Sequence, residues 1–238
     1  MRFSEKTLTI ELMSGFFNTY LYQPILASLV YIYETVAFHD LGIAIILLTI
    51  LVRVVLFPVF YKSAKDQALM QRLQPHIKKI QLDHKDDKER QAKEMLDLYK
   101  RYSLNPFSGI LLLLLQLPVF IILFNVLSKE LSSGLFLSST LFGVIELQTK
   151  GYVLPVLAAV VQYLQGKLTM GAQKKPKEAS ADPMASMTST MMVMGPVLTF
   201  FILLNLPTAL SLYWMVSSVF SVVQQLYINK QLPKFEDE

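Results

Sequence analysis

Five stretches of about twenty mostly apolar residues, at roughly 41–61, 106–127, 151–170, 187–204 and 207–228, contain no Asp or Glu. That length matches the hydrocarbon thickness of a bilayer when the chain is helical. Inside lipid, a helix satisfies its own backbone polar groups. The chain is 53% hydrophobic and 17% charged, against about 25% charged for a soluble domain. Together these features predict an all-α membrane protein with a five-transmembrane-helix core. There is no cysteine, and the three histidines, His39, His76 and His84, lie outside the apolar blocks. Thiol chemistry and Cys-ligated metals are thereby excluded. No buried histidine cluster, metal, cofactor or catalytic residue is expected.

Lys and Arg in the loops set the orientation. Residues 62–105 hold eleven basic residues, and 167–186 add Lys167, Lys174, Lys175 and Lys177. The opposite loops hold only Lys129 and Lys150. The first two segments and the C-terminus are expected in the cytoplasm, with the first span entering from outside.

Within 62–105, Leu69, Leu73, Ile77 and Ile80 recur at helical spacing, as do Ala92, Met95, Leu96, Tyr99 and Tyr102. His84 to Asp87 reads as a turn, with Asp86 the expected N-cap of the next helix and Glu89 its partner. The segment therefore predicts a cytoplasmic helical hairpin. Its eleven basic and seven acidic residues leave a positive excess. That excess suits anionic lipid head groups or ribosomal RNA, with nothing to read bases, so no sequence-specific nucleic acid is expected. Residues 171–186 are polar and expected to be a mobile cytoplasmic loop, and 232–238 a short cytoplasmic tail.

Residues 1–40 form an N-terminal segment with neither signal-peptide nor transit-peptide character. Across 16–38, Ile25, Leu29, Ile32 and Val36 align with Leu26, Val30, Tyr33 and Ala37 in an apolar stripe, with Ser28 and Glu34 away from it. This predicts an amphipathic helix on the outer surface. A sixth span is the alternative, and loop charges do not separate the two.

Arg53 is the exception to this apolar pattern. An arginine at a helix centre costs about 2.5–3.5 kcal/mol to insert, and it stays charged. No span supplies a carboxylate. At 1.5 Å per residue it lies about 12 Å from Tyr61, the inner end of its block, so its side chain could cover only part of the way. Neutral polar residues recur in the other spans: Gln116, Gln162, Gln165, Thr199, Ser217, Ser218, Ser221 and Gln224. Singly, such residues join helices. Together with Arg53 they predict a hydrated groove holding one unpaired cation. That groove would suit a visiting anion: a small anion, a lipid phosphate or an acidic protein segment. Pro118 is expected to kink the second span. Met184, Met187, Met191, Met192 and Met194 would form a conformable wall.

Three stretches carry a resemblance: "LGIAIILLTILVRVVLFP" (41–58), "LQPHIKKIQ" (73–81) followed by "LYKRYSLNPFSGILLLLLQLPVFIILF" (98–124), and "FFILLNLPTALSLYWMVSSVFSVVQQLY" (200–227). In this order they closely resemble the YidC/Oxa1/Alb3 family of membrane protein insertases, over about residues 41–231. The resemblance implies a five-span core, a cytoplasmic hairpin and a hydrophilic groove open to cytoplasm and lipid but closed outside. It places the groove's arginine at Arg53 and its glutamines at Gln116 and Gln165, with Gln162 one turn away. An aromatic pair falls at Tyr213 and Trp214. An apolar face over which substrates slide falls at Val119 and Phe120. It further implies an insertase without bond chemistry in a bacterial inner membrane. Nascent membrane proteins with short translocated tails would be its substrates. Anionic lipids, the Sec translocon and the ribosome would be partners. The sequence has no counterpart of the large periplasmic domain of Gram-negative members. "SGILLLLLQ" stands where members often carry Cys and Pro.

Other classes fit poorly. A transporter wants paired ionisable residues or repeats at the midplane. An intramembrane protease needs a Ser–His or paired-Asp arrangement within the spans. A membrane scaffold or assembly chaperone is the remaining alternative, and it should tolerate loss of Arg53.

Overall fold

The computed structural model describes residues 15, 17–131, 133–170 and 183–232. Of the loop expected at 171–186, residues 171–182 lie outside the described residues, as do 233–238 of the expected tail and the side chains of Met184, Met187, Met191 and Met192; residues 183–186 are not loop but the first turn of a helix that begins at Pro183, where a proline fits the helix start. A π-helical turn, Asn18–Tyr22, leads into α1, Gln23–Thr35. Helices α2 (Leu41–Val55), α3 (Phe57–Arg72), α4 (Gln74–Asp83), α5 (Lys88–Arg101) and α6 (Ser108–Glu130) follow. Two short antiparallel strands, β1 (Thr140–Leu141) and β2 (Ile145–Glu146), precede α7 (Val153–Met170), α8 (Pro183–Leu203) and α9 (Thr208–Gln231). Apart from that ladder and the turns and loops that join the elements, the described chain is helical.

Each expected apolar block carries a helix, with one change of shape. The first block breaks: α2 ends at Val55 rather than Tyr61, and α3 leaves at a bend of 72°. Pro58 explains the break. It has no N–H for the carbonyl of Val54, and its ring would collide with that carbonyl in a continuous helix. As the second residue of a new helix it costs nothing. Among the described residues, Thr208–Gln231 alone is long and apolar enough to cross a membrane as one helix, and α2 with α3 qualifies only as a bent pair. Helix α6 runs through Pro118 without interruption.

The main core gathers Leu29, Tyr33 and Ala37 from the α1 region with Leu41, Ile45 and Leu48 of α2, Leu123 and Leu127 of α6, and Leu210 and Tyr213 of α9. The amphipathic stripe therefore packs inward, except Val36. Val36 follows the last residue of α1 and is 50% exposed, because the chain turns there. Phe38 and His39 adopt left-handed φ values of 52° and 61° to reverse the chain into α2. Asp40 then caps α2, accepting the Ile43 N–H at 2.9 Å.

A second core joins Ala68 and Leu69 of α3, Ile77 of α4, Leu98 of α5 and Ile228 of α9. The expected hairpin is thus α4 and α5, rooted in the bundle. Its cap falls one residue later than expected. Asp87, not Asp86, accepts the Arg90 N–H at 2.9 Å, because the Asp87 N–H to His84 carbonyl bond (3.2 Å) closes the turn first.

Helix α3 is tied along its length. Tyr61 donates to Gln231 Oε1 at 2.6 Å, and Arg72 donates to the carbonyls of Asn229 and Leu232, both at 3.2 Å. The Ser108 hydroxyl, in the first turn of α6, donates to the buried Asp66 carboxylate at 2.7 Å. Removing that hydroxyl leaves a buried carboxylate short of a donor. Ser108→Ala should cost about 1–3 kcal/mol, read as a lower melting temperature in detergent, with Ser108→Thr close to wild type.

Candidate functional site

The bend after α2 shapes the surroundings of Arg53. The side chain is 7% exposed. Its Nε donates to Ser217 Oγ at 3.1 Å, and Nη2 donates to Ser217 Oγ at 3.0 Å and Gln116 Oε1 at 3.2 Å. Gln116 passes the contact on, its Nε2 donating to the Tyr213 hydroxyl at 2.7 Å. The guanidinium carbon lies 4.4 Å from the centre of the Phe60 ring. Among the described residues Arg53 has no carboxylate partner, and Nη1 makes no hydrogen bond. Nη1 is also not among the fully buried unpartnered atoms, so it keeps some access.

Helix α9 supplies the polar wall. Ser211, Ser217, Ser218, Gln224 and Gln225 are all buried on it. Serine and glutamine at this spacing put hydroxyls and amides on one helical face. Ser221 donates to the Ser217 carbonyl at 3.0 Å. Ser211 Oγ and Gln224 Nε2 are buried without a protein partner among the described residues.

A second cluster forms one residue on. The Trp214 indole N–H donates to Gln162 Oε1 at 2.9 Å. Its ring meets Phe120 edge-on at 5.6 Å between centres, and Phe120 stacks on Phe124 at 6.3 Å. Val119 and Phe120 are half-buried against the main core. Of the sequence-predicted residues, Arg53, Gln116 and Tyr213 come together directly, and Gln162, Trp214 and Phe120 form the neighbouring cluster. Gln165 is half-buried, and its side chain joins neither cluster by a hydrogen bond. Its carbonyl accepts from Thr169 at 2.9 Å. Thr199 is buried on α8 outside both clusters.

Phe60 was not anticipated. In a straight helix it would sit two turns below Arg53, about 10 Å along the axis. The only sequence signal was Pro58 between them.

The arrangement holds a cation against neutral acceptors and an aromatic face, with one donor group left over. Among the described residues it presents no nucleophile–base pair. What it can do is receive an anion, in surroundings where attraction exceeds that in bulk water.

Residues 31–235 match the family model described as 60Kd inner membrane protein. The membrane protein insertase YidC of Geotalea daltonii is 34% identical over 223 residues, 92% of this chain and 39% of that protein. Its namesake in Syntrophus aciditrophicus is 35% identical over 219 residues, covering 91% and 38%. That of Francisella tularensis subsp. novicida is 38% identical over 193 residues, covering 79% and 32%. The chain spans about two-fifths or less of the length of these relatives. The family model spans the end of α1 through α9, and by that match this chain belongs to the 60Kd inner membrane protein family, the YidC/Oxa1 group.

Proposed function

We propose that this chain is a membrane protein insertase that captures acidic tails of newly made membrane proteins and releases their apolar segments to lipid. The observation that carries this reading is the buried Arg53, with no carboxylate among the described residues and Nη1 unpaired. A cation kept in this way lacks a resident counter-ion and suits a transient one. The buried polar face of α9 lines a groove that opens to the cytoplasm and to lipid. A short acidic tail enters it, and Arg53 holds one carboxylate. The adjoining apolar segment moves out along Val119 and Phe120, driven by burial worth about 25 cal/mol per Å². The membrane potential acts on the tail in the same direction. No covalent bond changes.

The protein would sit in a bacterial inner membrane as five spans, with α1 on the outer surface and α4 and α5 in the cytoplasm. Anionic lipids would meet the basic hairpin. Insertion would proceed independently of the Sec translocon, with the translocon and the ribosome as optional helpers. The names of the relatives and the exposed apolar faces of α7 and α8 support a membrane setting.

Insertion into liposomes tests the reading, scored as protease protection of a single-span substrate with an acidic or a neutral tail. Arg53→Ala should lower insertion of the acidic-tail substrate about tenfold or more, equivalent to about 1.4 kcal/mol of lost capture. Arg53→Lys should retain much of it, and the neutral tail should change little. An equal loss for both tails would mean that charge capture is wrong.

A further inference from the structure

The guanidinium of Arg53 is held on three sides by three elements. Ser217 of α9 takes Nε and Nη2, Gln116 of α6 takes Nη2, and Phe60 of α3 covers a face at 4.4 Å. Only Nη1 is left over. We propose that Phe60 is a positioning residue of this site, holding the guanidinium plane so that Nη1 alone meets an incoming carboxylate and the capture is single-point. This deepens the insertase reading and rests on it.

Two geometries allow arginine to grip a carboxylate by two parallel hydrogen bonds. One uses Nε with an Nη, the other both Nη groups. Both edges include a nitrogen that Ser217 or Gln116 already occupies. A carboxylate arriving here therefore gains one strong contact, which suits a substrate that must leave again. That restriction lasts only while the guanidinium plane cannot turn. The bonds to Ser217 and Gln116 engage N–H groups that point outward in the guanidinium plane, and they leave it some freedom to tilt out of that plane. A ring against its face removes that freedom, and the quadrupole of the ring favours the cation.

Phe60 can do this because α3 does not move independently. Phe57 stacks on Tyr61 at 5.6 Å. Tyr61 is bonded to Gln231 on α9, and Asp66 to Ser108 on α6. The residue lies in the first turn after the bend, with its N–H bonded to the Leu56 carbonyl at 3.1 Å. It is 5% exposed, so its ring is not a lipid-facing side chain.

The test uses the full chain in liposomes, with the acidic-tail and neutral-tail substrates and the variants Phe60→Leu, Phe60→Tyr and Arg53→Ala. Phe60→Leu keeps bulk and removes the aromatic face. It should lower acidic-tail insertion about threefold to tenfold, the scale of a partly desolvated cation–π contact, and spare the neutral tail. Phe60→Tyr, which keeps the face, should restore acidic-tail insertion. If Phe60→Leu lowers both tails equally, the residue only packs the bend and the proposal fails. If Phe60→Leu spares both while Arg53→Ala loses the acidic tail, the proposal fails and the insertase reading stands. If Arg53→Ala spares the acidic tail as well, both fall together.

Discussion

Arg53→Met should raise the melting temperature of the purified protein while removing its preference for acidic tails. The guanidinium is buried among the described residues without a counter-ion. Removing an ion from water costs several kcal/mol even after the protein relaxes. Against this stand three hydrogen bonds and one aromatic contact. Hydrogen bonds to a charged group are worth about 1.5–3 kcal/mol each when well made. Two of these three share the Ser217 oxygen, and all are 3.0 Å or longer. No carboxylate among the described residues adds to them. Methionine keeps most of the volume and fits an irregular space, and Gln116 retains its bond to Tyr213. A net gain of about 1–3 kcal/mol follows by analogy with buried charges replaced by apolar residues. For a chain of this size that is a rise of about 2–4 °C per kcal/mol. Thermal unfolding in detergent, run beside the insertion assay, reads both halves. A fall in melting temperature would mean that Ser217 and Gln116 hold the arginine more strongly than desolvation opposes it.

The second large effect lies at the far end of α2. A Cβ on Gly42 would stand 2.5 Å from Leu141 Cβ and Cδ1 and 2.8 Å from its Cα. The last contact is with backbone, so a rotamer change does not relieve it. Gly42→Ala must lift β1 away from α2. Lifting it also strains the 2.6 Å bond from the Phe142 N–H to Asp40. The same connection is bonded to the start of α9, through the Ala209 N–H to the Leu147 carbonyl and the Thr208 N–H to the Thr149 carbonyl, both 3.0 Å. Overpacking of this kind costs about 1–3 kcal/mol and sometimes more, so Gly42→Ala should lower the melting temperature by several degrees. The double variant Gly42→Ala with Leu141→Gly should recover part of the loss, because Leu141 Cβ and Cδ1 are then gone while the conflict with its Cα stays. A non-additive double-mutant cycle would locate the effect at this contact.

Much of the helical layout was legible. Long apolar blocks and the periodicity of 62–105 place most helices within a few residues, whereas the cap at Asp40 emerges only from the structure. Asp86 reads as the cap because Glu89 stands three residues on as its partner, and that spacing does not say which aspartate the turn leaves extended. The break at Leu56 had its cause in view at Pro58, yet an apolar run past a proline reads equally well as one kinked helix. The candidate site was legible in Arg53 and Gln116, which are unusual where they stand, whereas Tyr213 is reached only through the family resemblance. Phe60 was not, because an aromatic residue in an apolar block carries no local signal.

What the sequence determined by itself was everything set by local periodicity and by the cost of charge in lipid: helices, an isolated arginine and a basic hairpin. Only the tertiary structure decided which neighbours that arginine would have. A bend of 72° turned Phe60 back onto it, and α6 and α9 brought Gln116 and Ser217 from far along the chain. Such contacts depend on how packed helices cross. No stretch of residues encodes that by itself, because the same apolar stripe is compatible with many partners until close packing excludes all but one.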